Sequence, residues 1–292
     1  MDRRSFVKQT SFWAAATAFV PNLEWPFKRI NQFGAQLYTV REEMKFDPAN
    51  TLLRIREMGY QFLEHAGYDE GEFYGMSAED FRTLCYQRGL RVMSGHVQTG
   101  FTEPTKQRTM VRNWEAALDD FKEMNQDFVV LSYLQELERK TIDDYKRIAD
   151  LLNDCGEQAR KRGIRMAYHN HDFEFTKIDG QTPYDVLLEN TDEKFVTMEL
   201  DLYWIHKAGL DPIDYFEKYP GRFELWHVKD MDNTEEQFFT EVGSGVIDWQ
   251  RIFKHAKKAG MRHFFVEQDQ TRVHDPLRSL QISQNYLSSL RY

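Results

Sequence analysis

One feature of this chain constrains its fold more than any other: short apolar runs alternate with amphipathic segments of helical period. From Phe33 onward eight runs have strand character, among them FGAQLYTV, DFVVLSY and HFFVEQD. The segments between them, such as PANTLLRIREMG and TIDDYKRIADLLNDCGEQARKRG, place apolar residues at helical spacing. Gly59, Gly89, Gly163 and Gly260 end four of these segments, as helix C-termini prefer. The alternation therefore predicts repeated strand–helix units.

Eight such units over roughly 260 residues have the size of a (β/α)8 barrel. Alternating strands and helices imply a parallel sheet, so the predicted fold class is α/β, a single TIM barrel over residues 29–292. A doubly wound open sheet is the competing fold. It is disfavoured because QLYTVREEM, after the first strand, bears no likeness to the GxGxxG phosphate turn. No linker or low-complexity tract divides the chain, which predicts one domain.

Residues 1–28 are predicted to be an export signal with a linker. Arg3 and Arg4 precede a short, weakly apolar stretch, residues 11–20, which is too short to span a bilayer. The pattern resembles a twin-arginine signal, with Asp2 where Ser or Thr is more usual. The alternative is a frayed basic N-terminal helix. The signal interpretation predicts a periplasmic or otherwise exported protein that uses the twin-arginine export machinery.

Composition excludes some classes of partner. The formal net charge of −9 argues against nucleic acid, which normally binds a basic surface. No apolar run reaches the ~18 residues of a membrane span. Aromatic residues make up 14% of the chain, and any exposed around the barrel would allow a homodimer.

Polar, metal-binding residue types collect at the ends of the predicted strands. The active sites of parallel barrels lie at the C-terminal ends of the strands. The residues at these ends are Glu64, His65, His96, His169, His171, Glu199, Asp201, His227, Lys229 and Glu267. Structural roles compete with functional ones: a lone strand-end His is more often simply hydrogen-bonded, Glu199 could pair with a cation, and Lys229 could pair with Asp230 at the surface.

Four consecutive strand ends together favour a metal site. His169 or His171, Asp201, His227 and Glu267 supply a mixed nitrogen and oxygen donor set for one divalent ion with open positions for substrate. Imidazole and carboxylate donors without thiolate suit Mn²⁺, Co²⁺, Fe²⁺ or Zn²⁺ and do not choose among them.

The motifs ELDLYW, WHVKDM, EVGSGVIDWQRIF and FFVEQD resemble the xylose isomerase-like barrel superfamily, in particular its sugar isomerase/epimerase and inosose dehydratase branch. The resemblance covers residues 33–290. In that family one metal ion is held by Glu, Asp, His and Glu on strands five to eight. Carried over, the ligands are the strand-five position, Asp201, His227 and Glu267.

The chain departs from the family at strand five. Many relatives have Glu-Asn-His where this chain has His169-Asn170-His171. The resemblance therefore implies that His169 is a ligand and that His171 is a second ligand or a substrate contact. The exchange makes the site less negative by one charge. It also weakens any mechanism that needs two opposed carboxylates as acid and base.

These observations predict a metal-dependent isomerase or epimerase that acts on a non-phosphorylated sugar or sugar derivative through an enediolate. Glu267 is the first candidate base and His171 the second, and Lys229 would hydrogen-bond a substrate oxygen or protonate a leaving group. The candidates for contact with the carbohydrate substrate are His96, Glu174, Trp204 and Glu64.

Three other functions stay open at this point. A lyase or dehydratase would use the same metal and base for β-elimination or hydration on a keto-sugar, keto-glycoside or inosose. An apurinic endonuclease would need further metal ligands and a basic surface, which the net charge disfavours. A non-catalytic sugar-binding barrel would bind its ligand without turnover.

Overall fold

A computed structural model describes residues 28–292 and contains a closed parallel barrel, as predicted. Around the barrel the strands follow the order β1-β8-β7-β6-β5-β4-β3-β2. The strands are β1 Gly34–Gln36, β2 Phe62–His65, β3 Arg91–Val97, β4 Phe128–Leu131, β5 Arg165–His169, β6 Val196–Asp201, β7 Leu225–Val228 and β8 His263–Val266. The predicted export signal lies outside the described residues, apart from Lys28, and stays a prediction.

Helices surround the barrel and follow the amphipathic segments of the sequence. The described helices are Arg41–Phe46, Pro48–Glu57, Ala78–Gln87, Trp114–Glu123, Ile142–Lys161, Pro183–Asn190, Leu202–Lys207, Pro212–Lys218, Trp249–Lys254, Ala256–Ala259 and Pro276–Ser289. The longest begins after Thr141, whose side chain accepts the Asp144 N–H, and is followed by Gly163 at φ +78°. None of the helices in residues 28–292 is both long and apolar enough to cross a bilayer.

Two predicted strands are shorter than their apolar runs because a polar side chain starts a helix there. β1 ends at Gln36, whose Oε1 accepts the Tyr38 N–H and begins the 3-10 helix Leu37–Val40. β6 ends at Asp201, whose Oδ1 accepts the N–H groups of Tyr203 and Trp204. The LYW of ELDLYW is therefore helical and not part of the strand.

The barrel interior has a lower and an upper layer because side chains two residues apart on a strand point the same way. The lower layer, below the C-terminal ends of the strands, is apolar and consists of Met93, Phe128, Val130, Ala167, Leu225 and Phe265. His169, His227 and Glu267 follow Ala167, Leu225 and Phe265 by two residues and form part of the upper layer. The predicted chemistry thus lies in the upper layer.

Glu64 and His65 lie on opposite faces of β2. Glu64 points into the barrel, whereas His65 packs outside it, edge-on to Phe73 with ring centroids 4.8 Å apart. The His65 ring lies over Gly95, where a Cβ atom would come 1.7 Å from His65 Nε2. Its Nε2 pairs with Gln126 Oε1 at 3.0 Å, and burial lowers the pKa of His65 to about 4. His65 is therefore a neutral structural residue.

Candidate active site and metal centre

His227, at the end of β7, lies between two groups of side chains in the upper layer. Its Nδ1 faces Glu267 Oε2 at 2.8 Å, and its Nε2 faces Glu64 Oε1 at 2.6 Å and Glu199 Oε2 at 3.2 Å. We call His169, Asp201, His227 and Glu267 the outer set. We call Glu64, His96 and Glu199 the inner set.

The outer set contains the four residues predicted to be metal ligands. Donor atoms of His169, Asp201 and His227 all lie within 4.8 Å of one another. His169 Nε2 is 3.6 Å and His227 Nδ1 is 3.8 Å from Asp201 Oδ2. Glu267 contacts this group through its Oε2, which lies 2.8 Å from His227 Nδ1. All four side chains are at least 95% buried, so a bound ion would be well shielded from solvent.

Hydrogen bonds to the inner set fix how the two histidines of the outer set are oriented. His169 Nδ1 lies 3.2 Å from Glu199 Oε2, and His227 Nε2 lies 2.6 Å from Glu64 Oε1. Burial lowers the pKa of His169 and keeps it neutral, so a proton on Nδ1 leaves its Nε2 as a lone pair. Both nitrogens of His227 face carboxylates, which overcome burial and raise its pKa well above the usual value. A bound ion would displace the Nδ1 proton of His227, and the bond from Nε2 to Glu64 would keep the ring oriented. Metal-binding histidines are commonly held by such a carboxylate partner.

Asp201 is fixed by the start of the helix that follows it. While Oδ1 caps that helix, the Asp201 N–H donates to Asn170 Oδ1 at 3.0 Å. The Lys229 ammonium, 2.8 Å away, is the one described donor that pairs with Asp201 Oδ2. A carboxylate oxygen has two lone pairs, so Oδ2 keeps one with which to bind a cation.

Lys229, just after β7, is buried among three carboxylates. Its Nζ lies 2.8 Å from Asp201, 2.6 Å from Glu267 and 2.7 Å from Asp269. Burial alone would lower the pKa of Lys229, but these carboxylates raise it well above its usual value. In return Lys229 and His227 overcome burial and hold the pKa of Glu267 well below its usual value. Lys229 is thus an ammonium and Glu267 a carboxylate.

His171 lies beyond the end of β5 and still reaches the site. Its ring centroid is 5.1 Å from that of His169, 5.4 Å from Phe173 in a stack, and 5.2 Å from Trp204. Burial, and next the charge of Lys229, lower the pKa of His171 to about 3. Its Nδ1 is buried and has no hydrogen-bond partner among the described residues. His171 is a neutral imidazole with a free polar atom.

The inner set includes two residues for which the sequence suggested other roles. Glu64, predicted to contact substrate, is fully buried and lies against His96 and His227. Glu199, which could have been a structural ion pair, interacts with three histidines. Burial, and next repulsion from Glu64, raise the pKa of Glu199 to about 8. Two buried carboxyl groups therefore lie next to the outer set.

The two other predicted substrate contacts lie behind the cavity wall. Glu174 is fully buried and accepts the His171 N–H at 2.8 Å and the Tyr168 hydroxyl at 2.7 Å. Burial raises the pKa of Glu174 to about 8. Trp204 packs on His171, and its buried Nε1 has no partner among residues 28–292. In the structure Glu174 positions the backbone of His171 and does not line the cavity.

Part of this cluster lines a cavity of about 340 Å³. Its lining residues are Tyr38, His96, Ser132, Tyr133, His169, His171, Lys229, Glu267 and Asp269. Tyr38 and Tyr133 are 41% and 40% exposed, which places two aromatic rings at the mouth. A volume of this size accommodates a small organic ligand.

Asp269 is a site residue that the sequence analysis missed. It lines the cavity, pairs with Lys229, and has its pKa raised by burial to about 6. The available signal was the spacing in FFVEQD, because Asp269 follows Glu267 by two positions at the end of β8.

The donors of the outer set fit a divalent transition-metal ion. Two imidazole nitrogens and two carboxylates form a mixed set without thiolate, as Zn²⁺, Mn²⁺, Fe²⁺ and Co²⁺ accept. Among the described residues Asp201 Oδ2 is paired only with the Lys229 ammonium. Carboxylate oxygens carry two lone pairs each, so the ion pairs with Lys229 leave Asp201 and Glu267 able to bind an ion.

Comparison with known proteins identifies the family. Inosose dehydratase of Clostridium beijerinckii is 30% identical over 38% of this chain, but the match spans only 42% of that protein. Inosose dehydratase of Geobacillus thermodenitrificans is 25% identical over 70% of this chain and 78% of its own length. A sugar phosphate isomerase/epimerase of Parabacteroides distasonis has a TM-score of 0.77 and 29% identity, over 89% of this chain and 94% of that chain.

A model of one protein family matches residues 52–289, which include seven of the eight barrel strands and every residue of the outer and inner sets. The family is described as the xylose isomerase-like TIM barrel. The predicted resemblance is confirmed, and this chain belongs to the xylose isomerase-like TIM barrel family.

Proposed function

We propose that this protein is a metal-dependent isomerase or epimerase that moves a proton next to the carbonyl of a non-phosphorylated sugar or sugar derivative. One observation carries the proposal: His169 and Glu267 of the outer set line a single cavity together with Lys229 and His171, and the other two outer-set residues lie in contact with them. The similarity to a sugar phosphate isomerase/epimerase over 89% of this chain supports it.

His169, Asp201, His227 and Glu267 would hold the ion, which supplies Lewis-acid polarisation of a substrate carbonyl. The proton on the neighbouring carbon then needs a base. Glu267 is deprotonated throughout the neutral range because Lys229 and His227 lower its pKa. Neutral His171, with its free Nδ1, is the second candidate. Loss of the proton gives an enediolate.

Lys229 is suited to stabilise the enediolate oxygen. Its ammonium is kept charged by three carboxylates, and it lines the cavity. A hydrogen bond from a fixed cation strengthens as negative charge develops on the substrate oxygen. Return of the proton to the other carbon gives an isomer, and its return to the opposite face gives an epimer.

The charges around the cavity support a substrate without phosphate. Lys229 is the only Lys or Arg among the residues that line the described cavity, and it is already paired with Asp201, Glu267 and Asp269. A phosphate group would find no unpaired Lys or Arg there and would meet the carboxyl groups of Glu267 and Asp269. The rings of Tyr38 and Tyr133 suit the apolar faces of a sugar.

β-Elimination is the second candidate, favoured by the inosose dehydratases among the relatives and by the Lys229–Asp269 pair. After the proton next to the carbonyl is lost, the electron pair would expel a hydroxide or alkoxide from the β-carbon. Lys229, kept protonated by Asp269 and its other carboxylate neighbours, could give this leaving group its proton. The proton that Glu267 removed from the substrate could then pass to Lys229, whose Nζ lies 2.6 Å from Glu267. The products would be an unsaturated ketone and water or an alcohol.

Product analysis distinguishes the two reactions. Metal-loaded protein would be incubated with ketoses, keto-glycosides and inososes, each phosphorylated sugar paired with its free form, and the products followed by NMR. We expect an isomer or epimer from a free sugar and no turnover of its phosphate ester. An unsaturated product would establish the lyase instead. Turnover of phosphate esters alone would contradict the proposed substrate class.

We also propose export, on the grounds of Arg3 and Arg4. Replacing both with Lys keeps the charge and removes the paired arginines that the export machinery would recognise. We expect the variant to stay in the cytoplasm, measured by fractionation and immunoblotting. Unchanged accumulation outside the cytoplasm would contradict the export proposal.

A further inference from the structure

We propose that the inner set, Glu64, His96 and Glu199, is a second divalent-cation site, distinct from the outer set. The three residues come from β2, β3 and β6 and meet inside the barrel. With His227, their donor atoms all lie within 4.8 Å of one another. Glu64 and Glu199 are fully buried.

The separations between these donors are close to those around a bound ion. His96 Nε2 lies 3.1 Å from Glu64 Oε1 and 3.7 Å from Glu199 Oε2. Four ligands at about 2.1 Å around a tetrahedral ion lie roughly 3.4 Å apart. Small side-chain rotations would therefore place an ion among the three residues.

Two buried oxygen atoms without hydrogen-bond partners are the independent evidence for a cation site. Glu64 Oε2 and Glu199 Oε1 are buried and accept no hydrogen bond from residues 28–292. The second oxygen of each carboxyl group has a hydrogen-bond donor. Gln36 Nε2 donates to Glu64 Oε1 at 2.6 Å, and His169 Nδ1 donates to Glu199 Oε2 at 3.2 Å. Native proteins seldom leave two neighbouring buried carboxylate oxygens without a partner.

The inner set does not need the ligands of the outer set. When His227 carries its proton on Nε2, it donates to Glu64 and keeps Nδ1 for the outer set. Glu64, His96 and Glu199 then supply three protein ligands. A carboxylate has lone pairs enough both to accept such a hydrogen bond and to bind an ion.

The cavity provides an entry path to the inner set. His96 lines the cavity, and its side chain is 15% exposed, whereas Glu64 and Glu199 lie beneath it. An ion could therefore enter from the cavity past His96. Three protein ligands with a fourth position open are typical of ions that bind water or substrate. One imidazole and two carboxylates suit Zn²⁺, Mn²⁺, Fe²⁺ or Co²⁺.

Metal stoichiometry tests this proposal without measuring activity. The full chain would be stripped with a chelator, reloaded with Zn²⁺, freed of excess ion and analysed for bound zinc. We expect two ions per chain in the unmodified protein and one in Glu199→Gln. Glu64→Gln should also bind one ion. Glu174→Gln is the matched control, because Glu174 is equally buried but lies outside both sets, and it should bind two.

Asp201→Asn separates this proposal from the proposed function. It should lose the outer ion and keep the inner one, and the double variant Asp201→Asn, Glu199→Gln should bind none. One ion in the unmodified protein, or two in Glu199→Gln, would overturn the inner site. If Asp201→Asn kept two ions, the outer set would be wrong instead. Circular dichroism identifies a variant that fails to fold. If an inner-set variant fails to fold, His96→Gln is used in its place and should also bind one ion.

Discussion

The two layers of the barrel interior are equally buried but chemically opposite. Leu225 in the lower layer and His227 in the upper layer are both fully buried and lie two residues apart on β7. Burial of a leucine side chain stabilises the fold by about 1.5–3 kcal/mol. Burial of an ionisable group instead destabilises the fold unless charges and hydrogen bonds compensate. The lower layer therefore holds the barrel together, and the upper layer is poorly explained by stability alone.

The upper layer also keeps several polar atoms unpaired. Among residues 28–292, Glu64, His171 and Glu199 each have a buried side-chain atom without a hydrogen bond. Nothing comparable can occur in the lower layer, whose side chains carry no titratable group. This contrast indicates that the upper layer is built for ligands, and variants in the two layers should affect different properties.

The largest effect is expected from Asp201→Ala in the upper layer. Loss of this carboxylate removes an outer-set ligand and leaves the Lys229 ammonium with one counter-charge fewer. We expect the outer ion to be lost and turnover to fall below detection, measured by metal analysis and steady-state kinetics. Full metal content in this variant would show that the assignment of the outer set is wrong.

A lower-layer substitution should reduce stability and leave metal binding unchanged. Phe265→Ala removes a fully buried ring beneath Glu267 and should reduce the free energy of unfolding by about 3–5 kcal/mol. Metal content per folded chain should not change, because no donor atom is altered. Chemical denaturation and metal analysis on the same sample test this. If Phe265→Ala lost metal but kept its full stability, the proposed difference between the two layers would be wrong.

Glu267→Gln should have an intermediate effect on the chemical step. The amide is nearly the same size but cannot accept the substrate proton, so kcat should fall about 10²-fold. Metal content is measured in parallel, since Glu267 is also a proposed ligand, and His171→Gln is the matched variant. A normal kcat in Glu267→Gln together with a low kcat in His171→Gln would assign the base to His171.

The smallest effect concerns the pH dependence of stability. Burial raises the pKa of Glu174 to about 8. Between its ordinary value near 4.5 and about 8, the folded protein holds a proton that the unfolded chain releases. The free energy of unfolding should therefore decrease as the pH rises through this range, and Glu174→Gln should weaken the decrease. Urea unfolding at several pH values tests this, and parallel profiles for both proteins would contradict it.

The fold could be predicted from the sequence because the signals for it are local. Periodicity and terminal glycines are visible in the chain, and the closed barrel follows the predicted strand–helix order. The family motifs also placed Asp201, His227 and Glu267 at neighbouring strand ends. What local signals missed were strand ends set by a side-chain cap, as at Gln36 and Asp201.

The contacts within the site could not be read from the sequence, because they join residues far apart in the chain. Glu64 and His227 are separated by 163 positions, and Lys229 and Asp269 by 40. Whether Glu174 faces the cavity or supports His171 depends on a short 3-10 turn, Phe173–Phe175, that no periodicity marks. The three residues of the inner set lie on three different strands, and only the folded barrel brings them together.

Solvent-proton exchange tests the central claim, that the upper layer carries out proton transfer next to a carbonyl. Metal-loaded protein would be incubated in D₂O with a free ketose, keto-glycoside or inosose that it turns over, and deuterium located by NMR. We predict deuterium on the carbon next to the carbonyl with the unmodified protein and none with Asp201→Ala. Turnover without deuterium incorporation, or exchange that persists in Asp201→Ala, would contradict this account.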